Sequence, residues 1–381
     1  MKRLTLVLVL ALGILLPASL RAAGHTDDAA AGAPDVSGMI FGHIMDSYDW
    51  HFTTIGDTHV SLYLPVIVRS ARDGRWHVFS SRRLLHPEGG HAAEAAHAGG
   101  GGHVAAAPAH TAVPEYEGFH IARGGDYDGK VVETVGGQLV RPLDLSLTKN
   151  ALALLLNSAL LIALFLYCAR WYRHRRPTDP APRGLVGAVE AMVQWIYYDV
   201  IVANIPAHVQ RYAPYLLTAF FFIFINNLIG LVPGSANVTG NIAVTCFLAV
   251  CTFLMVNLFG NKEYWKEILN PDVPAWLKPI MIVIELFGLF TKPLALMIRL
   301  FANIMAGHTA MLALFSVIFV TAGMGAALNG TMTVVSLLFC VFMNCLELLV
   351  AFIQAYVFTM LSAVFIGLSQ PQHHAAHAHA D

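Results

Sequence analysis

One arginine stands inside a long apolar run. In Leu294-Ala-Leu-Met-Ile-Arg-Leu-Phe-Ala-Asn-Ile-Met-Ala-Gly-His308, Arg299 is surrounded by apolar sequence that extends from about Pro279 to Ala322. A guanidinium keeps its charge in proteins, and holding it at mid-bilayer costs roughly 3 kcal/mol on insertion scales. Such a charge is an expense that a membrane segment carries for a purpose. The other ionisable groups of the two long apolar segments, 279–322 and 331–368, are few: Glu285, Lys292, His308 and Glu347.

Helical phase sorts these groups. At about 100° per residue, Glu285, Lys292 and Arg299 recur every seven positions and share one face. Ala295, Asn303, Ala306 and Ala310 extend it with small or polar side chains, which let another helix approach closely. His308, nine residues beyond Arg299, falls on the opposite side. In the second segment Asn344, Glu347, Ala351 and Gln354 line one face, with Ser336 on the same line earlier. A polar stripe in an apolar helix is suited to lining a water path or pairing with another helix.

The chemistry available is proton exchange. His308 and Glu347 can take up and release protons, whereas Arg299 cannot and can serve only as a fixed positive charge. That charge would draw a proton off a passing carboxylic acid by stabilising the carboxylate. The plainer reading makes His308–Glu347 a structural hydrogen bond and lets Arg299 snorkel to an interface. Three ionisable groups deep in one hairpin weigh against it.

These residues need membrane helices to position them. The chain of 381 residues is 56% hydrophobic and 12% charged, with a mean hydropathy of +0.60, which is outside globular averages. The expected spans are 151–169, 212–232, 242–259 and the two long segments, joined by a Gly-rich turn at 323–330. Each long segment exceeds the ~20 residues that cross a ~30 Å core, so steep tilting is expected. Residues 184–209, with Glu190, Gln194 and Asp199 among apolar positions, read as an amphipathic surface helix. Asn226 and Asn227, inside a span, read as interhelical glue. The fold class is therefore an all-α polytopic membrane protein with about five embedded helices and one surface helix.

Ahead of this membrane part (148–370) the chain changes character. Residues 1–23 have the layout of a secretory signal peptide, an uncleaved anchor being the alternative. Residues 24–147 form an exported extension in which Val60–Val68 and Trp76–Phe79 suggest short strands. Its segment 87–114 is rich in His, Gly and Ala, and the tail 371–381 is rich in His and Ala. A solvated linker explains this composition; metal capture is the sharper alternative. The basic cluster Arg170, Arg173, Arg175, Arg176 and Arg183 puts the end of the first span in the cytoplasm, so the extension is periplasmic and the C-terminus cytoplasmic.

Several classes are excluded. A net charge of −1 leaves no nucleic-acid footprint, no phosphate-binding Gly-rich Lys motif occurs, and no Cys spacing suggests a metal or disulfide. No cofactor and no metal is expected. An anion transporter built around Arg299 is the competing function, but no inverted-repeat halves are visible. A metal sensor in the His-rich extension is a third reading.

Arg299-Leu-Phe-Ala-Asn-Ile-Met-Ala-Gly-His308, with Lys292-Pro293 upstream and Glu347 and Gln354 downstream, resembles the a subunit (subunit 6) of F-type ATP synthases over about residues 145–370. The resemblance implies two long tilted helices against a rotating ring of c subunits, with two offset aqueous half-channels leading to the ring's carboxylate. It implies that Arg299 separates the half-channels, with Asn303 as its polar neighbour and Gln354 near it. It assigns His308 and Glu347 to an interacting Glu/His pair and Glu285 to a channel-side position; Asn344 extends the same polar line. Gly230 stands where some members carry an acid. The implied partners are the c-subunit ring, b-type peripheral-stalk subunits, the catalytic head through the stalks, and membrane lipid. The chain itself would be a proton-translocating component of a plasma-membrane complex and not an enzyme alone.

Overall fold

The computed structural model describes residues 46–55, 58–85, 115–122, 127, 129–176, 180–206, 208–232, 235–271, 273–321 and 325–370. The expected signal peptide, the His-rich linker 87–114 and the His-rich tail lie outside these residues. The chain divides into two compact units, one including residues 45–153 and the other residues 154–381.

The N-terminal unit is built from short antiparallel strands. β1 (Asp49–Ile55) pairs with β2 (Thr58–Tyr63). β3 (Pro65–Arg69), β4 (Trp76–Ser80) and β9 (Leu143–Asp144) form a sheet ordered β4-β3-β9. β5 (Glu115–Tyr116), β6 (Phe119–Ile121), β7 (Val131–Val135) and β8 (Gln138–Val140) form a third, and a single turn of helix, α1, covers Arg82–Leu85. Alternation decides which side is buried: Val66, Val68 and Phe79 join Tyr48, Leu84, Phe119 and Val131 in one core. Two of its polar side chains are well partnered. Tyr48 donates to Asp144 Oδ2 at 2.5 Å and accepts from the Val131 amide at 3.3 Å. Buried Glu133 accepts from Ser70 Oγ at 2.8 Å and Ala71 N at 2.9 Å. The hairpin β5–β6 turns through Glu117 and Gly118, both at positive φ, as a two-residue connection of the hairpin type demands. The strand character read at 60–68 and 76–79 is present, the first stretch being split at Leu64 between β2 and β3. The strands between 115 and 144 are short and spaced by glycines, which hides their alternation.

The second unit is helical: α2 (Lys149–Arg173), α3 (Leu185–Trp195), α4 (Val209–Gly230), α5 (Ile242–Leu258), α6 (Lys262–Leu269), α7 (Lys278–Thr321) and α8 (Ala326–Leu368). Among the described residues five helical stretches are long and apolar enough to cross a membrane, or six if the bent pair α5–α6 counts as one span. Leu185–Val202 is one of the five, with 18 residues, so length and composition alone do not separate the expected surface helix from a span. Its polar edge is real: Gln194 Nε2 donates to Glu190 Oε1 at 3.1 Å on the exposed side. α3 continues as a π-helical stretch, Ile196–Val202, that buries Ile196, Val200 and Ile201. Trp195 stacks on Tyr356 and Phe352 of α8, with ring centroids 5.0 and 5.6 Å away.

α7 and α8 have 44 and 43 residues, which at 1.5 Å per residue is about 65 Å each and twice a ~30 Å hydrocarbon core. Pro293 lies inside α7, where it removes one backbone hydrogen bond and favours a bend. The expected turn at 323–330 is shorter than read: α8 begins at Ala326 after Gly325 at φ 106°, because Ala-Ala-Leu are strong helix formers. Thr321 Oγ1 and Asn329 Oδ1, 3.1 Å apart, tie its two sides. Adjacent Asn226 and Asn227 on α4 bind two different neighbours. Asn226 Oδ1 accepts from Asn157 Nδ2 of α2 at 2.9 Å, and Asn227 Nδ2 donates to the Ala351 carbonyl of α8 at 3.3 Å. The 97° bend between α5 and α6 is held by Asn261 N donating to the Ser369 carbonyl at 3.0 Å.

Candidate functional site: a charged pair and a lone arginine on two packed helices

α7 and α8 pack antiparallel, and Leu289, Leu296, Leu300 and Ile304 of α7 and Ala351, Ala355 and Phe358 of α8 are buried. Helices that approach closely can bring polar side chains together across their contact. His308 of α7 and Glu347 of α8 do meet: Nδ1 and Oε1 are 2.8 Å apart, with side-chain exposures of 12% and 4%. The contact is close without hydrogen-bond alignment, and neither carboxylate oxygen has a hydrogen-bond donor among the described residues. It is therefore an electrostatic contact.

The approach depends on Gly307. A Cβ there would lie 3.1 Å from Glu347 Oε1, 3.3 Å from Cδ and 3.5 Å from Cγ. The pattern of charged residues alone does not reveal this position. Its signal in the sequence is a glycine inside a long helix, where it costs about 1 kcal/mol against alanine and so points to close approach.

Arg299 is elsewhere. Its side chain is exposed on the outer surface of α7, and it makes no ion pair or hydrogen bond among the described residues. Asn303, one turn on, is exposed beside it, as are Ala295, Ala302 and Ala306. The result is a smooth strip with one charge on it. The seven-residue line is not uniformly open, however. Lys292 is partly buried and its Nζ lies 5.7 Å from the centroid of Phe365 on α8, next to the Pro293 bend. Glu285 is also partly buried. A recess lined by Thr252, Asn257, Tyr264, Lys292 and Phe365 opens between α5, α6, α7 and α8.

The polar line of α8 is buried in its middle. Ser336, Glu347 and Gln354 are buried, while Asn344 is partly buried and donates to the Cys340 carbonyl of its own helix at 3.1 Å. Gln354 has no hydrogen-bond partner among the described residues. Thus the structure brings His308 and Glu347 into contact and leaves Arg299 and Asn303 on the outer surface, away from that contact. Asn344 and Gln354 flank Glu347 on α8. No group of three or more possible metal ligands occurs among the described residues.

A family profile described as ATP synthase A chain matches residues 152–367, and one described as a domain of unknown function matches residues 39–140. The ATP synthase subunit a of Chlorobium phaeobacteroides (strain DSM 266 / SMG 266 / 2430) is 40% identical over 304 residues, covering 76% of this chain and 84% of its own. That of Pelodictyon phaeoclathratiforme is 42% identical over 248 residues, with coverage of 62% and 71%. That of Myxococcus xanthus is 41% identical over 257 residues, with coverage of 65% and 81%.

Proposed function

The chain belongs to the ATP synthase A chain family, a membrane proton-translocating component and not an enzyme by itself, and from that premise we propose how its own residues do the work. His308 and Glu347 form the proton-exchanging pair of one aqueous half-channel, flanked by Asn344 and Gln354. Glu285, on the far side of Arg299 along α7, belongs to the other half-channel. Arg299, with Asn303 beside it, faces a moving ring of c subunits and divides the two. The observation that carries this reading is the separation on one helix: a buried His–Glu contact on one side, and an exposed guanidinium without an internal partner on the other.

The energetics support a divider. Each proton moved down the membrane potential yields about 2.3 kcal/mol per 100 mV, and a continuous path would dissipate this without rotation. A fixed cation that cannot deprotonate raises the barrier to a bare proton while attracting the ring's carboxylate, which must give up its proton to pair with it. The family further implies b-type peripheral-stalk subunits, the catalytic head and surrounding lipid as partners. We place residues 24–147 in the periplasm, residues 148–370 in the bacterial inner membrane and the 371–381 tail in the cytoplasm, after a signal peptide at 1–23. The basic residues after α2 support this orientation.

Replacing Arg299 tests the proposal. Arg299→Ala is expected to abolish proton-driven ATP synthesis in membrane vesicles while the complex still assembles and its head still hydrolyses ATP. Synthesis at the wild-type rate in that variant overturns the assignment.

A further inference from the structure

The strand pairing of the N-terminal unit leaves one sheet face uncovered. Directly opposed residues of antiparallel strands point to the same side. The pairs Val66↔Phe79 and Val68↔Asp144 therefore face the core, while Ile67↔Val78, Arg69↔Trp76 and Arg69↔Leu143 face outward. On that outward face Trp76 is 51% exposed, Val78 68%, Leu143 57% and Leu145 62%. Contiguous apolar surface of this kind, gathered on one side of a small sheet, marks an interaction site.

Two observations say what covers it. The first is charge: Arg69 sits on the face between Trp76 and Leu143, exposed Arg72 and Arg75 outnumber Asp73 in the adjoining turn, and exposed Arg141 precedes Leu143. Tryptophan and arginine around aliphatic side chains is the composition of a surface that settles among lipid headgroups. The second is reach. α2 starts at Lys149, four residues after Leu145, which limits the intervening chain to about 14 Å. The first turn of α2 is moreover fastened to this unit, with Lys149 N donating to the Ser47 carbonyl at 2.9 Å and Asn150 N to Asp46 Oδ1 at 3.1 Å.

We propose that the outward face of the β4-β3-β9 sheet, through Trp76, Val78, Leu143 and Leu145 with Arg69 and Arg141, docks on the anionic lipid surface of the membrane that α2 enters. The docking does not depend on the assignment of Arg299.

Photolabelling of the full chain decides it. The protein is reconstituted in vesicles of phosphatidylethanolamine and phosphatidylglycerol that contain a lipid with a photoreactive group on its headgroup, and adducts are mapped by mass spectrometry. Lipid adducts are expected on the Trp76–Val78 peptide, some seventy residues upstream of α2, and absent from Gln138–Leu139 on β8. Val78→Asp combined with Leu145→Asp, both at exposed positions, should remove the Trp76 adducts while those on the membrane helices persist. Absence of lipid adducts at Trp76–Val78 in the wild type overturns the proposal. A water-soluble carbene reagent then tells whether the face is in water or, if shielded from both reagents, covered by protein. Adducts unchanged in the double variant overturn it as well, since they would reflect collision.

Discussion

Gly307→Ala probes the His308–Glu347 pair without touching either member. The added Cβ would meet Glu347 Oε1 at 3.1 Å and Cδ at 3.3 Å, so the carboxylate must give way by a few tenths of an ångström. If the contact of 2.8 Å opens by ~0.4 Å, the attraction to a protonated His308 falls from ~5.9 to ~5.2 kcal/mol at an effective dielectric of about 20. That loss of ~0.7 kcal/mol is about threefold in the equilibrium for loading the pair. Proton-driven ATP synthesis in inverted vesicles, with the gradient followed by a quenching dye, should fall by about that factor. Gly307→Val, whose methyl groups displace the carboxylate further, should fall towards the level of Glu347→Gln. An unchanged thermal-unfolding midpoint in the alanine variant separates this loss from overpacking, which would lower the midpoint. Wild-type rates in both Gly307 variants would refute the claim that proton flow passes through this pair.

Three further outcomes concern the scaffold. Asn157→Leu strips Asn226 Oδ1 of its donor across α2 and α4, and should cost about 1 kcal/mol of stability in detergent unfolding, with no such loss for a leucine at a lipid-facing position of α2. Gly367→Ala drives a Cβ into the Asn204 carbonyl; overpacking at backbone costs typically about 1–3 kcal/mol, read as a lower midpoint for thermal unfolding of the purified chain. In the N-terminal unit, burial first and then the Asp144 carboxylate raise the Tyr48 phenol above its ordinary pKa. The raised value means that its contribution is complete below about pH 10, its unfolded range, and is lost as pH climbs towards the folded value. Tyr48→Phe should therefore lower stability by about 1.5–3 kcal/mol near neutrality and flatten the alkaline decline; equal alkaline slopes in both proteins would contradict this.

The helices were legible because period and length are local properties. The phase argument set Arg299 and His308 on opposite sides of one helix from their nine-residue separation, and α7 is helical throughout that interval. Contact distances were not legible. Nothing in a single sequence says that Gly307 meets Glu347, or that Asn226 finds Asn157, because those depend on the relative rotation of two helices. Lys292 shows the same limit: its phase matches Arg299, yet its long stem reaches Phe365 across the helix pair. In the N-terminal unit, the strand character of Val60–Val68 was readable by alternation, but the break within it was not. Leu64 separates β2 from β3, and these two strands pair in different sheets.

The π-helical stretch at Ile196–Val202 has a consequence for length. A π turn holds about one residue more than the α turn it replaces, so this stretch carries one residue beyond what an uninterrupted α-helix would place there. At about 100° per residue, that extra residue rotates everything before it, Trp195 included, by more than a quarter of a revolution relative to an uninterrupted helix. The rotation is what lets Trp195 lie on Tyr356 while Ile196, Val200 and Ile201 are buried together. Deleting one residue here would give a helix with better backbone bonds and the wrong neighbours. This segment can trade side chains more easily than it can change its count.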